Sequence, residues 1–227
     1  MKHLKNISEN ILQEYRYFFK LNDYVLIKDI LTEECINLFM NNITFNEETL
    51  KDKPQFGRKH NNNFGKLDII LEFQKETLEF YRKIIGDEYF TTFAFAMEYI
   101  KDAEVYPHLD LICNEVSSTI CYHDTGSYPL YICKDYMENN YNHRYSIGSS
   151  SIISEDKKIK LDIRCGDIGI FNGRNHLHWR EKLNEDIVHR GILSHYSYTK
   201  PGTEEYKIKT SLKVPFENSV QSKIYHH

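Results

Sequence analysis

The stretch "GDIGIFNGRNHLHWREKL", residues 166–183, combines an apolar run with two histidines, two arginines and the only tryptophan of the chain. The run from Asp167 to Phe171 lies between Gly166 and Gly173, and apolar residues bounded by glycines are typical of a short buried β-strand between turns. His176 and His178 come just after it. The stretch is therefore either a strand that leads to a metal ligand or a polar turn at a sheet edge.

Similar β-rich runs fill the second half of the chain, whereas the first half has helical periodicity. Apolar residues at helical spacing predict a helix near residues 7–23 that Asn6 or Ser8 can cap, a helix after Thr32, and a helix that stops at Gly86. A short strand, "YVLIKDI", separates the first two helices. The later predicted strands are "YFTTFAFAMEYI", "NEVSSTICYH", "PLYICK", "SSSIIS", "KIKLDI", "DIGIFNG" and "DIVHRGILSHYSY".

Helices followed by strands, without βα alternation, argue against a doubly wound sheet. The order predicts an α+β, mostly β fold: a double-stranded β-helix of the jelly-roll or cupin kind, buttressed by the N-terminal helices. We expect a single domain of 1–227, with helical support and an entry strand over 1–87, the jelly-roll core over 88–199 and a C-terminal extension over 200–227 that wraps the outside. Pro, Gly and Asn in residues 44–65 predict a mostly irregular loop.

Composition excludes several classes of partner. The chain has 29 basic and 33 acidic residues, a net charge of -4, so it offers no strong field for nucleic acid or an anionic membrane. No signal peptide or membrane-spanning run is visible. The five cysteines are scattered without a CxxC pair, which predicts reduced thiols and a cytoplasmic protein. No pattern in the sequence assigns an oligomeric state.

His108 and Asp110 form the first half of a possible metal site. Two residues that are two apart on a strand point to the same side of the sheet. With one histidine from a distant strand they would complete a set of two histidines and one carboxylate, which suits non-haem Fe(II) and leaves coordination positions open for a cosubstrate and O2. His178 lies 70 residues after His108 and near a strand end. His176 has the same strand parity, so spacing alone does not separate the two.

An arginine beyond the distal histidine could bind the far carboxylate of a cosubstrate, because its planar guanidinium makes two parallel hydrogen bonds to a carboxylate. Arg190 shares one face of its strand with Val188 and Ile192, and a buried guanidinium needs an anionic partner. Tyr122, on the strand after Asp110, is a second candidate for contact with that anion.

Taken together, these motifs resemble the iron(II)- and 2-oxoglutarate-dependent oxygenase superfamily. The sequence is most similar to a branch with H-x-D, then G-D, apolar residues, G and H-W-R-E, an arginine beyond, and a closing strand that ends in H-Y. The resemblance covers roughly residues 24–196. The matching elements are His108 and Asp110; Gly166, Asp167 and Gly173; "HWRE" from His178; Arg190; "HY" at His195; and the segments "CNEVSSTI" and "YVLIKDILTEECINLF".

The resemblance implies that Fe(II) is bound by His108, Asp110 and His178, which favours His178 over His176. It also implies that 2-oxoglutarate and O2 are cosubstrates, with Arg190 and Tyr122 binding the 2-oxoglutarate and Arg180 as the alternative anchor. Arg180 could instead pair with Glu181 at the strand exit. Hydroxylation is the expected outcome, since halogenases of this superfamily have a small residue at the position of Asp110.

The expected substrate is a small molecule such as an amino acid or a natural-product intermediate. A protein or peptide side chain is the alternative, and a non-redox, cupin-like metal-binding protein is the rival from another class. A cupin, however, usually offers two closely spaced histidines on its first strand, whereas this chain has His108 and Asp110.

Overall fold

Three helices precede the main strands in the computed structural model, which describes residues 2–45, 58–60, 68–137 and 146–211. They are α1 (Glu9–Asn22), α2 (Glu33–Asn42) and α3 (Asp68–Ile85). The Ser8 side chain accepts a hydrogen bond from the backbone N–H of Ile11, and Thr32 accepts one from Cys35, so both predicted caps satisfy orphan donors at the helix starts.

Within the described residues, ten strands form two antiparallel sheets. The strands are β1 (Tyr24–Ile27), β2 (Arg58–His60), β3 (Phe90–Tyr99), β4 (Val105–His108), β5 (Val116–Asp124), β6 (Leu130–Tyr136), β7 (Lys158–Leu161), β8 (Ile168–Phe171), β9 (His176–Arg180) and β10 (His189–Ser197). The six-stranded sheet has the order β1-β8-β5-β10-β3-β2, and the four-stranded sheet has the order β4-β9-β6-β7. From β3 onward the chain passes repeatedly between the two sheets, and among the described strands in that part only β6 and β7 are consecutive strands of one sheet. This arrangement is a jelly roll, which confirms the predicted α+β, mostly β class.

The helices cover the outer face of the six-stranded sheet. Phe39 of α2 and Phe73 and Tyr81 of α3 pack with Ile120 and Ile192 of the sheet, and all five are almost completely buried. The opposite face of this sheet is turned toward the four-stranded sheet. Both faces of its central strands are therefore buried, one under helices and one inside the roll.

Two segments differ from their predicted structure. Residues 149–154 were expected to form a strand, but Ser150–Ile152 form a 3-10 turn, because the Ser149 hydroxyl accepts from the N–H of Ser151 and offers the backbone a local alternative. His176 and His178 are not part of a turn that follows β8. They lie on a separate strand, β9, in the other sheet.

All five cysteines are free, and four of them are buried. No helix in the described part of the chain is long and apolar enough to cross a membrane. The C-terminal extension begins with a short helix, α4 (Glu204–Ser211). Most of the predicted loop over 44–65, and residues 212–227, lie outside the described residues.

Candidate metal centre

His108, Asp110 and His178 converge because strands β4 and β9 are neighbours. The two strands pair antiparallel with His108 directly opposite His178, and the two rings lie 4.2 Å apart between centroids. Asp110 follows two residues after His108. One potential ligand atom from each residue lies within 4.8 Å of the other two, and all three side chains are buried. The tertiary structure thus assembles the three residues that the sequence motif marks.

Backbone carbonyls orient both imidazoles. His108 Nδ1 lies 2.8 Å from the Tyr106 carbonyl oxygen, and His178 Nδ1 lies 3.1 Å from the His176 carbonyl oxygen. Because a carbonyl only accepts, each Nδ1 carries the proton and the lone pair is on Nε2 in the neutral ring. The Nε2 atoms lie 3.7 and 3.6 Å from the two carboxylate oxygens of Asp110. Such tautomers are the ligand form of histidine, with the other nitrogen donating to an outer partner.

The backbone of Asp110 is held by the turn before β9. Its N–H donates to the Gly173 carbonyl at 2.8 Å, and Arg174 Nη1 donates to its carbonyl oxygen at 3.3 Å. The Ser117 hydroxyl donates to Oδ2 of the side chain. Both the main chain and the carboxylate of Asp110 are therefore fixed by neighbouring elements.

Gly173 has no room for a side chain at this turn. A methyl group there would overlap the Asp110 carboxylate and lie 2.8 Å from Ser117 Oγ. Gly173→Ala is expected to lower the free energy of unfolding by about 1–3 kcal/mol, the usual cost of overpacking a buried site. Urea denaturation measures this change in the free energy of unfolding. Gly169→Ala is the matched control, because its methyl meets the flexible tip of Ile163 at 2.7 Å and should cost less. Equal losses in the two variants would contradict this account of the turn.

His176 lies on the same strand but is not part of the cluster. Its Nδ1 lies 2.9 Å from the Cys133 carbonyl oxygen, and its Nε2 lies 3.2 Å from Asp23 Oδ2. Asp23 follows α1 in a left-handed conformation with φ 60°, so His176 connects the end of that helix to β6. The position of the ring separates His176 from His178, which strand parity could not do.

The three clustered residues line a cavity of about 280 Å³ inside the roll. The accessible surface of its wall is largely apolar, as is usual for sites that bind small molecules, although nine of the eighteen lining residues are polar or charged. Besides the cluster it is lined by Phe93, Phe95, Met97, Tyr99, Val105, Leu111, Asn114, Ser117, Ser118, Thr119, Leu130, Phe171, Arg180, Leu193 and His195.

Arg180 is a buried cation in this wall, two residues after His178, with only 2% of its surface exposed. Its Nη1 donates to the Tyr128 carbonyl, and its Nη2 lies 3.4 Å from His189 Nε2. The guanidinium carbon lies 5.2 and 4.9 Å from the ring centres of Tyr99 and Tyr128. Burial, together with the charge of Arg180, lowers the pKa of His189 well below its ordinary value, so this partner is a neutral acceptor.

The described contacts of Arg180 are all with neutral groups. Among the described residues, the cations Lys182 and Arg190 form ion pairs, whereas Arg180 forms none. Glu181, the alternative partner considered from the sequence, accepts from Trp179 Nε1 at 2.7 Å and from Ser150 instead. A buried guanidinium among neutral groups is costly unless an anion joins it. Arg180 therefore brings a positive charge to the cavity wall that no described acidic side chain pairs with.

Arg190 and Tyr122 do not lie in this wall. On β10 the cavity is lined by Leu193 and His195, and alternation along the strand turns Arg190 to the helix side. There Arg190 Nε donates to Glu98 Oε2 at 2.7 Å. Tyr122 is on the same side, 5.5 Å from the Phe39 ring, and burial raises its pKa. The anionic partner inferred for Arg190 is therefore a glutamate of this chain, and the described residues that line the cavity do not include Arg190 or Tyr122.

Ser117 and Phe93, which contact the site, were not singled out from the sequence. A serine within a β-rich run and a phenylalanine in a strand are common in any sheet, so they carry no recognisable signal. Only the strand pairing brings Ser117 beside Asp110 and Phe93 beside His195.

Several solved enzyme structures have the same architecture as this chain. HygX from Streptomyces hygroscopicus, with nickel, 2-oxoglutarate and hygromycin B bound, superposes with a TM-score of 0.60 at 12% identity over 82% of this chain and 86% of that one. The chain shares its fold with the 2-oxoglutarate- and iron(II)-dependent oxygenases. No protein-family model and no curated protein matches the sequence.

Two further solved structures are similar to this chain over most of its length. The non-haem α-ketoglutarate-dependent carbocyclase SnoK from nogalamycin biosynthesis has a TM-score of 0.55 at 14% identity and covers 92% of each chain. A prolyl-4-hydroxylase from Pseudomonas putida has a TM-score of 0.56 at 8% identity, over 82% of this chain and 99% of that one. At such identities the likeness establishes the fold and leaves the reaction to the site residues.

Proposed function

We propose that the protein is an iron(II)- and 2-oxoglutarate-dependent dioxygenase that hydroxylates an unactivated C–H bond of a small molecule. The observation that carries the proposal is the convergence of His108, Asp110 and His178 in a cavity that also contains the buried cation Arg180. These are the two groups that an iron(II) ion and a dicarboxylate cosubstrate require.

The donor set fits iron(II). Two imidazoles with protonated Nδ1 atoms and one carboxylate make up the set used by non-haem Fe(II) oxygenases, which leaves coordination positions open. A structural zinc site would instead be closed by four protein ligands, commonly including cysteine. Among the described residues, the cluster contains three ligands and no thiol.

The bound iron and 2-oxoglutarate would supply the oxidation, in which O2 and 2-oxoglutarate yield succinate, CO2 and one oxygen atom for insertion into the C–H bond. The residues of this chain bind and orient the reactants. His108, Asp110 and His178 would hold the metal ion. The buried, largely apolar wall excludes water from the reacting groups.

Arg180 would bind the distal carboxylate of 2-oxoglutarate, in place of Arg190 and Tyr122. Its guanidinium is already held by the Tyr128 carbonyl and His189 on one side and by two tyrosine rings. A carboxylate on the cavity side would provide the missing negative charge through a geometry that arginine favours.

The substrate class follows from the size and lining of the cavity. A space of about 280 Å³ next to Phe93, Phe95 and Leu193 suits part of a small, mostly apolar molecule. HygX with bound hygromycin B and the nogalamycin carbocyclase SnoK provide precedents for small natural products on this fold. The prolyl-4-hydroxylase makes a peptide side chain the second choice.

Succinate formation tests this function. Protein loaded with Fe(II) is expected to release succinate from 2-oxoglutarate in the presence of O2, and more of it when a panel of amino acids and natural-product intermediates includes the substrate. Mass spectrometry should then find a product heavier by one oxygen atom, which separates hydroxylation from cyclisation. Asp110→Ala is the control, since it removes the carboxylate ligand.

Two results would count against the proposal. One is succinate release that is equal in wild type and Asp110→Ala across the panel. The other is metal binding without the weak visible absorption band that Fe(II) and 2-oxoglutarate give together under anaerobic conditions, which would favour a cupin-like metal-binding protein.

A further inference from the structure

Ser117 lies directly behind Asp110, on the inward side of β5. Its hydroxyl contacts Asp110 Oδ2 and lies 2.8 Å from His195 Nδ1 on β10. All three side chains are buried, with 8%, 2% and 6% of Asp110, Ser117 and His195 exposed. They form a short polar chain that begins at a proposed metal ligand and ends in a neighbouring strand.

The direction of the two hydrogen bonds follows from the groups present. An ionised carboxylate only accepts, so the Ser117 hydroxyl proton points to Asp110. The serine oxygen then acts as the acceptor toward His195, whose Nδ1 must carry a proton. Each group in the chain thus has one defined role, and the hydroxyl of Ser117 cannot rotate away without losing both bonds.

His195 is itself held in place by packing. Its ring stacks against Phe93 and Phe95 at centroid distances of 6.2 Å, with interplanar angles of 11° and 27°. Its backbone carbonyl accepts from Gln74 of α3 at 3.2 Å. The position of the imidazole is therefore set by β3, β10 and a helix, elements independent of the metal ligands.

We propose that Ser117, supported by His195, is a positioning residue that fixes the rotation of the Asp110 carboxylate for metal binding, an inference that rests on the proposed function. The torsion about a carboxylate's last carbon–carbon bond is broad and weakly restrained. In this site the two oxygens lie 3.7 Å from His108 Nε2 and 3.6 Å from His178 Nε2. Rotation of the carboxylate would disturb both separations, and the serine hydroxyl opposes it.

Outer partners of this kind typically change metal affinity by about 10- to 100-fold. Ser117→Ala removes the hydroxyl donor and should weaken metal binding within that range. Ser117→Thr keeps the hydroxyl and should recover most of the affinity. Ser194→Ala is the matched control: this buried serine precedes His195 on β10, its side chain lies on the opposite face of the strand, and it does not line the cavity, so its loss should leave metal affinity unchanged.

Anaerobic titration of the metal-free protein with Co(II), followed by calorimetry and by the visible spectrum of the bound ion, measures these effects without turnover. We expect Ser117→Ala to bind Co(II) about 10- to 100-fold more weakly and with an altered visible spectrum. If Ser117→Ala does not fold, His195→Leu and His195→Asn take its place. Asparagine retains a donor near the position of Nδ1, whereas leucine does not, so only the leucine variant should lose affinity.

The outcomes separate this inference from the proposed function. If Asp110→Ala binds Co(II) as well as wild type does, the metal centre itself is wrong. If Asp110→Ala loses Co(II) while Ser117→Ala matches wild type in affinity and spectrum, the metal centre stands and the positioning role of Ser117 is refuted. Equal weakening in Ser117→Ala and Ser194→Ala would also refute it, because a general loss of packing would then explain both.

Discussion

Metal binding is expected to be lost in His178→Ala and retained in His176→Ala. His178 supplies one of three proposed ligands, and even outer partners of a metal ligand change affinity by about 10- to 100-fold, so loss of the ligand itself should exceed 100-fold. His176 points to Asp23 and the Cys133 carbonyl instead. Iron content after anaerobic reconstitution and gel filtration measures the difference, with Co(II) calorimetry giving the affinities.

The two variants are matched in residue type, strand and burial. His176→Ala is expected to unfold at a lower urea concentration than wild type, since it removes two hydrogen bonds between β9 and its neighbours. A His176→Ala protein that folds but binds no metal, or a His178→Ala protein that retains it, would contradict the assignment.

Affinity for 2-oxoglutarate is expected to fall sharply in Arg180→Gln and to stay unchanged in Arg190→Gln. Removing one partner of a buried, hydrogen-bonded charge pair costs about 2–5 kcal/mol, a loss of roughly 30-fold or more in affinity. Arg180→Lys keeps the charge but lacks the planar fork, so it should recover the affinity only in part. Anaerobic titration of the Fe(II) protein with 2-oxoglutarate, followed by the visible band, measures each variant.

Arg190→Gln serves as the control because Arg190 contacts Glu98 on the helix side of the sheet. Its expected effect is on stability alone. If Arg190→Gln lowers the affinity and Arg180→Gln does not, the anchor proposed from the sequence would be restored and the placement of the anion beside Arg180 would be wrong. The metal content of each variant is measured in parallel, because a variant that has lost its iron would also give no visible band.

Local sequence patterns predicted the elements well where neighbouring residues decide them. Ser8 and Thr32 cap their helices because a cap depends on residues within one turn. The strand expected over residues 149–154 was wrong for a reason of the same range, since Ser149 satisfies a nearby backbone donor and favours a turn. The run of serine and isoleucine carries β propensity, but propensity is a weak guide when a side chain offers this alternative.

Arg190 shows where periodicity stops being informative. Alternation correctly grouped it with Ile192 on one face of a strand. Both faces of that strand are buried, however, one by helices and one by the second sheet, so an apolar pattern could not tell which face looks into the cavity. The same ambiguity applies to Tyr122. Arg180 lines the cavity because it lies on β9, a strand of the opposite sheet.

The sequence by itself indicated the order of helices and strands, the jelly-roll class and the pair His108 and Asp110, since each depends on local spacing and on residue chemistry. Only the resemblance to the oxygenases favoured His178 over His176. The tertiary structure decided which way each ring and guanidinium points. It separated His176 from His178, turned Arg190 to Glu98 and Arg180 to the cavity, and brought Ser117 and His195 behind Asp110. These results depend on strand pairing between residues far apart in the chain, and only folding sets the register that puts such residues in contact.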